Sequence, residues 1–295
     1  MSIDNPKNQS DTYLVFQMAK VASRSWVKLL SNASPNASVT HFHSISKHSI
    51  TKVEQITASN ATNQTIKHLT LPRLGRPPEH IQQYIKRNVW QWGPPVKIIA
   101  GVREPIARAV SAIGFLSNRL GYSPYGVTVR DGGNAQNLTK LFFQALNIAK
   151  SGESTDDTLI TLLAHVINDY DRWFKEELAA GFGLDIYQAS FSNTSKTLRL
   201  KGAHELLVYR VEDLKNPNAC KLLLEDASQF LGTKVTSFPE DDVSQESRYR
   251  ALYKNFAKSL KLSSEDIQWF YDNETVKHFY SPEEITSFKK QWQHI

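Results

Sequence analysis

The stretch FQMAKVASRS (residues 16–25) has the residue types of an anion-binding loop. A short apolar, strand-like run leads into small residues and hydroxyls, and a helix is predicted to begin at about Trp26. Main-chain N–H groups at a helix start point into such a loop, and the helix dipole favours negative charge there. We therefore predict that a phosphate or sulfate binds in a loop formed by Lys20, Val21, Ala22, Ser23, Arg24 and Ser25.

A second segment, GVREPIARAVSAIGF (residues 101–115), places Arg103 at the end of a predicted strand and Ser111 eight residues later in a helix. Ligands of open α/β sheets collect beyond the carboxyl ends of the strands, so both segments should border one crevice. Two anion sites in one crevice would suit a nucleotide with phosphates at both ends of its ribose. Arg108 is either a further contact or a solvated helix residue.

Two histidines lie between these segments, in the predicted strand SVTHFHSI (Ser38–Ile45). His41 and His43 should point to one face of the strand, and histidine can accept a proton near neutral pH. His43 is nearer the strand end, but either residue could instead be a hydrogen-bonded structural histidine. His48 and His68, on predicted loops, are further candidates.

The remaining pattern alternates strands with helices. Further strands are predicted at Tyr13–Met18, Val96–Val102, Asp185–Phe191 and Glu205–Val211. Apolar residues at helical spacing predict one long helix over Thr155–Ala180 that ends at Gly181, and a later helix that ends at Gly232. We expect an α/β fold with a mostly parallel sheet flanked by helices, in one domain over residues 1–295. Residues 1–12 should be flexible, and residues 233–295 should form a helical tail packed on the domain.

The two anion motifs resemble those of the sulfotransferase superfamily. KVASRS resembles its 5′-phosphosulfate loop, and REPIARAVS is similar to its 3′-phosphate motif, an arginine followed eight residues later by a serine. ELLVYRVEDL and NPNACKLLLEDASQFLG resemble the later strand, acidic turn and helix of the family, so the similarity spans residues 13–232 in order. The tail VKHFYSPEEITSFKKQW is similar to the branch called putative capsular polysaccharide synthesis proteins.

The resemblance implies a P-loop-like nucleotide-binding fold and transfer of a sulfuryl group from 3′-phosphoadenosine 5′-phosphosulfate to a hydroxyl, expected to be on a carbohydrate. It implies no metal. Lys20 would be catalytic, with His43 or else His41 as the base. Ala22 replaces a glycine that is common in this loop, and Arg248 or Arg250 is the candidate for a C-terminal 3′-phosphate contact that relatives make with Arg-Lys-Gly.

Composition limits the alternatives only weakly. The 295-residue chain has 35 basic and 29 acidic residues, a net charge of +6 and one cysteine, Cys220. No apolar run approaches the roughly 18–20 residues of a membrane span, and the polar start is not a secretory signal, so we expect a cytoplasmic protein without a nucleic-acid partner.

A kinase is disfavoured because GxxxxGK[ST] is absent. A glycan- or polyanion-binding protein, using aromatics such as Trp90, Trp92 and Tyr125, stays open. The acceptor and the oligomeric state are not predicted.

Overall fold

The computed structural model describes residues 12–45, 95–120, 134–153, 155–239 and 247–293. Within these residues the strands are β1 (Thr12–Phe16), β2 (Ser38–Phe42), β3 (Lys97–Val102), β4 (Thr197–Lys201) and β5 (Glu205–Arg210). The α-helices are α1 (Ser23–Ala33), α2 (Pro105–Leu120), α3 (Ala135–Ser151), α4 (Thr158–Asn168), α5 (Pro217–Leu231), α6 (Ser247–Ser259), α7 (Ser264–Tyr271), α8 (Glu274–Phe279) and α9 (Pro282–Trp292). Shorter pieces are a π-helix (Phe174–Ala179), a helical turn (Ala180–Phe182) and 3-10 helices (Ile186–Gln188 and Val211–Lys215).

The strands form one sheet in the order β2-β1-β3-β5-β4. Neighbouring strands are parallel except for β4, which pairs antiparallel with β5 at the edge. The chain runs from β1 outward to β2 and then returns to place β3 on the other side of β1. The strand order therefore reverses between β1 and β3, and ligands of such sheets bind in the crevice that opens at the carboxyl ends there.

The apolar runs that predict β1, β3 and β5 become the centre of the core. After its first residue each of these strands is buried at every position, as expected for strands covered on both faces. Helix α1 packs on β1 and β2, α5 packs on β5, and α2 packs against α3 and α4. Among the described residues, no helix combines the length and the apolar character needed to cross a membrane.

One predicted strand, Asp185–Phe191, is wrong. The Asp185 side chain accepts a hydrogen bond from the main-chain N–H of Tyr187, and the chain turns into the 3-10 helix instead. Local capping by an aspartate thus outweighs the β-prone composition of the segment. The edge strand is β4, whose sequence TLRLK alternates polar with apolar residues and was not predicted as a strand.

The long helix predicted over Thr155–Ala180 is interrupted. Helix α4 ends at Asn168, where Arg108 donates to the Val166 carbonyl, and a turn then leads into the π-helix. The helical segment ends at Phe182, and Gly183, at φ 68°, takes the left-handed cap conformation predicted for Gly181. Helix α5 ends as predicted, with Gly232 in the left-handed conformation at φ 74°.

Candidate functional site

The loop between β1 and α1 adopts a backbone conformation suited to an anion. Lys20 and Ala22 both have positive φ, 71° and 62°, and Ala22 is the residue that precedes α1. Left-handed residues in a tight loop turn successive N–H groups toward one side. Alanine takes this conformation at a cost of roughly 1–2 kcal/mol, so Ala22 in place of the expected glycine strains the loop.

The N-terminus of α1 has no side-chain cap. No side chain of the preceding residue bonds to the first turn, and that turn contains no acidic residue. The first N–H groups of a helix have no partner within the helix and carry a partial positive charge. Ser23, Arg24 and Ser25 form this turn, with Arg24 exposed and the two serines half-buried, and therefore present N–H groups and hydroxyls together.

Lys20, in the first of the two anion motifs, contacts the second motif. Its ammonium sits 3.9 Å from the centroid of the Phe115 ring on α2, and its carbonyl accepts a hydrogen bond from Arg103 Nη1 at 3.3 Å. Arg103 Nη2 also lies 3.5 Å from the Tyr253 hydroxyl on α6. The loop after β1 and the residue after β3 thus meet at the crevice between these strands.

Ser111 is half-buried on α2, and among the described residues no hydrogen bond joins its hydroxyl to Arg103. Arg248 and Arg250 lie in the first turn of α6, but their side chains are outside the described part of the structure. His48, His68, Trp90, Trp92 and Tyr125 lie outside it too.

Arg108 is neither solvated nor open to a ligand. It is 1% exposed, and its guanidinium donates to the Ala19 carbonyl at 3.0 Å, the Val166 carbonyl at 2.8 Å and the Asp169 carboxylate at 2.8 Å. All three donor nitrogens are therefore engaged within the protein. Arg108 ties α4 to the residue before Lys20, so its role in this structure is to support the loop.

His43 follows the last residue of β2, and its ring has a defined tautomer. Nδ1 lies 2.6 Å from the main-chain carbonyl oxygen of Gln17, and a carbonyl can only accept. Neutral His43 therefore carries its proton on Nδ1 and a lone pair on Nε2. Burial lowers the pKa of His43, the Gln17 hydrogen bond opposes this shift, and the charges of Arg108 and Lys20 add to it. A neutral imidazole with a free lone pair can accept a proton.

His41 and His43 share one face of the strand, as the period of two predicts. Their rings are 4.6 Å apart and perpendicular, at 89°. Burial, with smaller contributions from His43 and Arg24, lowers the pKa of His41 to about 3, and its Nε2 is buried without a hydrogen-bond partner. Both histidines are thus neutral near pH 7, but only His43 has its tautomer set by a main-chain contact.

Tyr209 and Gln17, which were not predicted as site residues, contact the inner side of the loop after β1. The Tyr209 hydroxyl on β5 lies 3.1 Å from Gln17 Oε1 and also donates to the Val21 carbonyl. Both side chains are completely buried. A Cβ at Gly101 would fall 2.8 Å from the Tyr209 ring, so a side chain at this position of β3 would displace the tyrosine. A glycine inside an apolar strand was the available signal of this close approach.

The N-terminus of α2 differs from that of α1 because the Glu104 side chain caps it. The Glu104 carboxylate accepts hydrogen bonds from the N–H groups of Ile106 and Ala107 and from the Tyr271 hydroxyl. Burial raises the pKa of Glu104 to about 7, and nearby Glu212 adds to this increase. Of these two helix starts, the one beside Lys20 has no carboxylate cap among the described residues.

Comparisons of the chain with known protein families, with curated proteins and with solved structures find no match. The described residues contain no group of three or more histidine, cysteine, aspartate or glutamate side chains arranged to hold a metal ion. The function is therefore inferred from the sequence motifs and from the geometry of the loop after β1.

Proposed function

We propose that this protein is a sulfotransferase that moves a sulfuryl group from 3′-phosphoadenosine 5′-phosphosulfate to an acceptor hydroxyl, with carbohydrates as the acceptor class. One observation carries the proposal: the uncapped start of α1, Lys20 and a neutral His43, bonded through Nδ1 to Gln17, all lie at the carboxyl ends of β1 and β2. The lysine lies close enough to lower the pKa of His43, which supports a shared site. The carbohydrate acceptor rests on the similarity of the tail to the capsular polysaccharide branch.

In this proposal the donor spans the crevice between β1 and β3. The N–H groups at the start of α1, together with Lys20 and the serine hydroxyls, bind the phosphosulfate end. Arg103 and Ser111 bind the ribose 3′-phosphate. The hydrogen bond from Arg103 to the Lys20 carbonyl supports this arrangement because it links the residues assigned to the two ends of the donor.

The reaction needs an in-line attack and a base. The acceptor oxygen attacks the sulfur, the bond from sulfur to the bridging phosphate oxygen breaks, and His43 Nε2 takes the hydroxyl proton. Lys20 stabilises the negative charge that develops on the leaving phosphate. The products are a sulfate ester and adenosine 3′,5′-bisphosphate.

Ligand-dependent melting tests the donor. Adenosine 3′,5′-bisphosphate at about a hundred times its Kd should stabilise the fold by about 2.7 kcal/mol, whereas ATP and heparin should stabilise it less. Stabilisation by ATP alone would indicate a kinase, and stabilisation by heparin alone would indicate a polyanion-binding protein. Either result would overturn the proposal.

Variants test the assigned roles. Lys20→Ala should weaken bisphosphate binding roughly tenfold to hundredfold, because a charge-assisted hydrogen bond contributes about 1.5–3 kcal/mol. His43→Ala should lower turnover by about 10²–10⁴ and leave bisphosphate binding nearly unchanged. His41→Ala is the matched control and should keep most of the turnover. Full activity of His43→Ala would remove this histidine from the mechanism.

A further inference from the structure

The π-helix Phe174–Ala179 lies against the chain just after β2, where His43 is found. π-Helices are rare and often occur at functional sites. Trp173, the residue before this helix, and Glu177 within it bond to the main chain of residues 43–45 from about 130 positions away in the sequence. The Trp173 indole N–H donates to the His43 carbonyl at 2.7 Å, and the Glu177 carboxylate accepts from the Ile45 N–H at 2.7 Å.

Both side chains are held firmly. Trp173 is 3% exposed and packs on Phe16 and Phe174, with ring centroids at 4.9 and 5.1 Å. Glu177 is 2% exposed. A hydrogen bond from a main-chain N–H to a buried carboxylate is roughly twice as strong as one between neutral groups.

A third contact comes from Gly181, four residues beyond Glu177. The Ile45 side chain lies where a Cβ of residue 181 would stand, so a larger residue at this position would displace the end of the Ile45 side chain. Positions 173, 177 and 181 therefore all contact the two residues that flank Ser44. These three residues contact the main chain and side chains that follow β2, while the Gln17 carbonyl, just after β1, accepts from the His43 ring.

These contacts engage the main chain of His43 and Ile45 and not the His43 imidazole. We infer that Trp173 and Glu177 are positioning residues, which fix the main chain at His43–Ile45 and so keep the His43 Nδ1–H on the Gln17 carbonyl and the lone pair on Nε2. The activity part of the inference rests on the proposed function, whereas the tautomer part concerns the free protein.

The test uses ¹⁵N-histidine-labelled full-length protein without ligand. The ¹⁵N shifts of an imidazole distinguish the Nδ1–H from the Nε2–H tautomer, and the His43→Gln variant assigns the signal. The parent protein should show the Nδ1–H form. Trp173→Phe keeps an aromatic ring but loses the donor, and Glu177→Leu loses the acceptor, so each should move His43 toward a mixture of tautomers.

Two matched variants serve as controls. Trp292 is as buried as Trp173, but its indole N–H has no hydrogen-bond partner, so Trp292→Phe should leave the His43 signal unchanged. Glu177→Gln keeps an acceptor oxygen and should restore the parent spectrum. If Trp173→Phe does not fold, the comparison of Glu177→Leu with Glu177→Gln decides alone.

Turnover provides the second readout. Trp173→Phe and Glu177→Leu should lower kcat roughly tenfold to hundredfold, the cost of a misplaced catalytic group, with the donor KM nearly unchanged. An Nδ1–H signal that persists in both variants would overturn the inference. A tautomer change in a protein without sulfotransferase activity would support the positioning role and refute the proposed reaction.

Discussion

Arg108→Met tests whether Arg108 stabilises the fold or instead serves only to bind a ligand. A structural role predicts a large loss of unfolding free energy without ligand. Methionine keeps most of the apolar stem, which is buried, but removes the guanidinium. The Asp169 carboxylate, 22% exposed, then loses its ion pair, and the carbonyls of Ala19 and Val166 lose their donors. Breaking a buried ion pair costs about 3–5 kcal/mol, and each orphaned carbonyl costs roughly 1 kcal/mol more. Together these terms give about 5–7 kcal/mol, and because water reaches Asp169 we expect a loss near the lower end, about 5 kcal/mol.

Equilibrium unfolding in urea at pH 7 measures this loss. Arg172→Met is the matched control, because Arg172 is 40% exposed and pairs with Glu176 at 3.8 Å. An exposed pair contributes at most about 1 kcal/mol. Adding Asp169→Asn to Arg108→Met should recover part of the loss, since the unpaired buried charge is then removed. A loss below about 1 kcal/mol, or one equal to that of Arg172→Met, would refute the structural role.

Two further predictions concern the ends of α1 and α2. The pKa of Glu104, raised from 4.5 to about 7, means that the folded state binds this proton more tightly than the unfolded state. The resulting stability, roughly 3 kcal/mol, is present below about pH 4.5 and is lost as the pH rises through 7. The unfolding free energy of Glu104→Gln should therefore fall less between pH 4.5 and 7 than that of the parent protein. The same pH dependence in both proteins would refute the raised pKa of Glu104. Ala22→Gly should raise the unfolding free energy by about 0.5–1 kcal/mol, because glycine takes the left-handed conformation without strain. An unfolding free energy of Ala22→Gly below that of the parent, measured by chemical denaturation, would contradict the strain argument.

The sequence alone predicts the central part of the fold. Strands β1, β3 and β5 follow from apolar runs, because a parallel strand covered on both faces must be apolar along its length. The structure ends β1 at Phe16 and β5 at Arg210, within two residues of the predicted ends. The helix start after Ala22 follows from the small, hydroxyl-rich loop, within three residues of the prediction.

The β-prone run after Asp185 shows where this reasoning fails. Its composition favours a strand, but one local side-chain hydrogen bond turns the chain. β4 was missed because an edge strand with one polar face has only a short alternating pattern, TLRLK.

The roles within the candidate site depend on contacts between distant parts of the chain. From the sequence, His41 and His43 share one strand face, and His43 is favoured as the base only because it lies nearer the strand end. The structure distinguishes them because Gln17 accepts from the His43 ring and Trp173 donates to its carbonyl. Likewise, Arg103 and Arg108 lie five residues apart, yet only Arg108 is buried and fully hydrogen-bonded. Strand and helix preferences are local and can be read from neighbouring residues, whereas burial, tautomer and hydrogen-bond partners depend on segments that only the tertiary fold brings together.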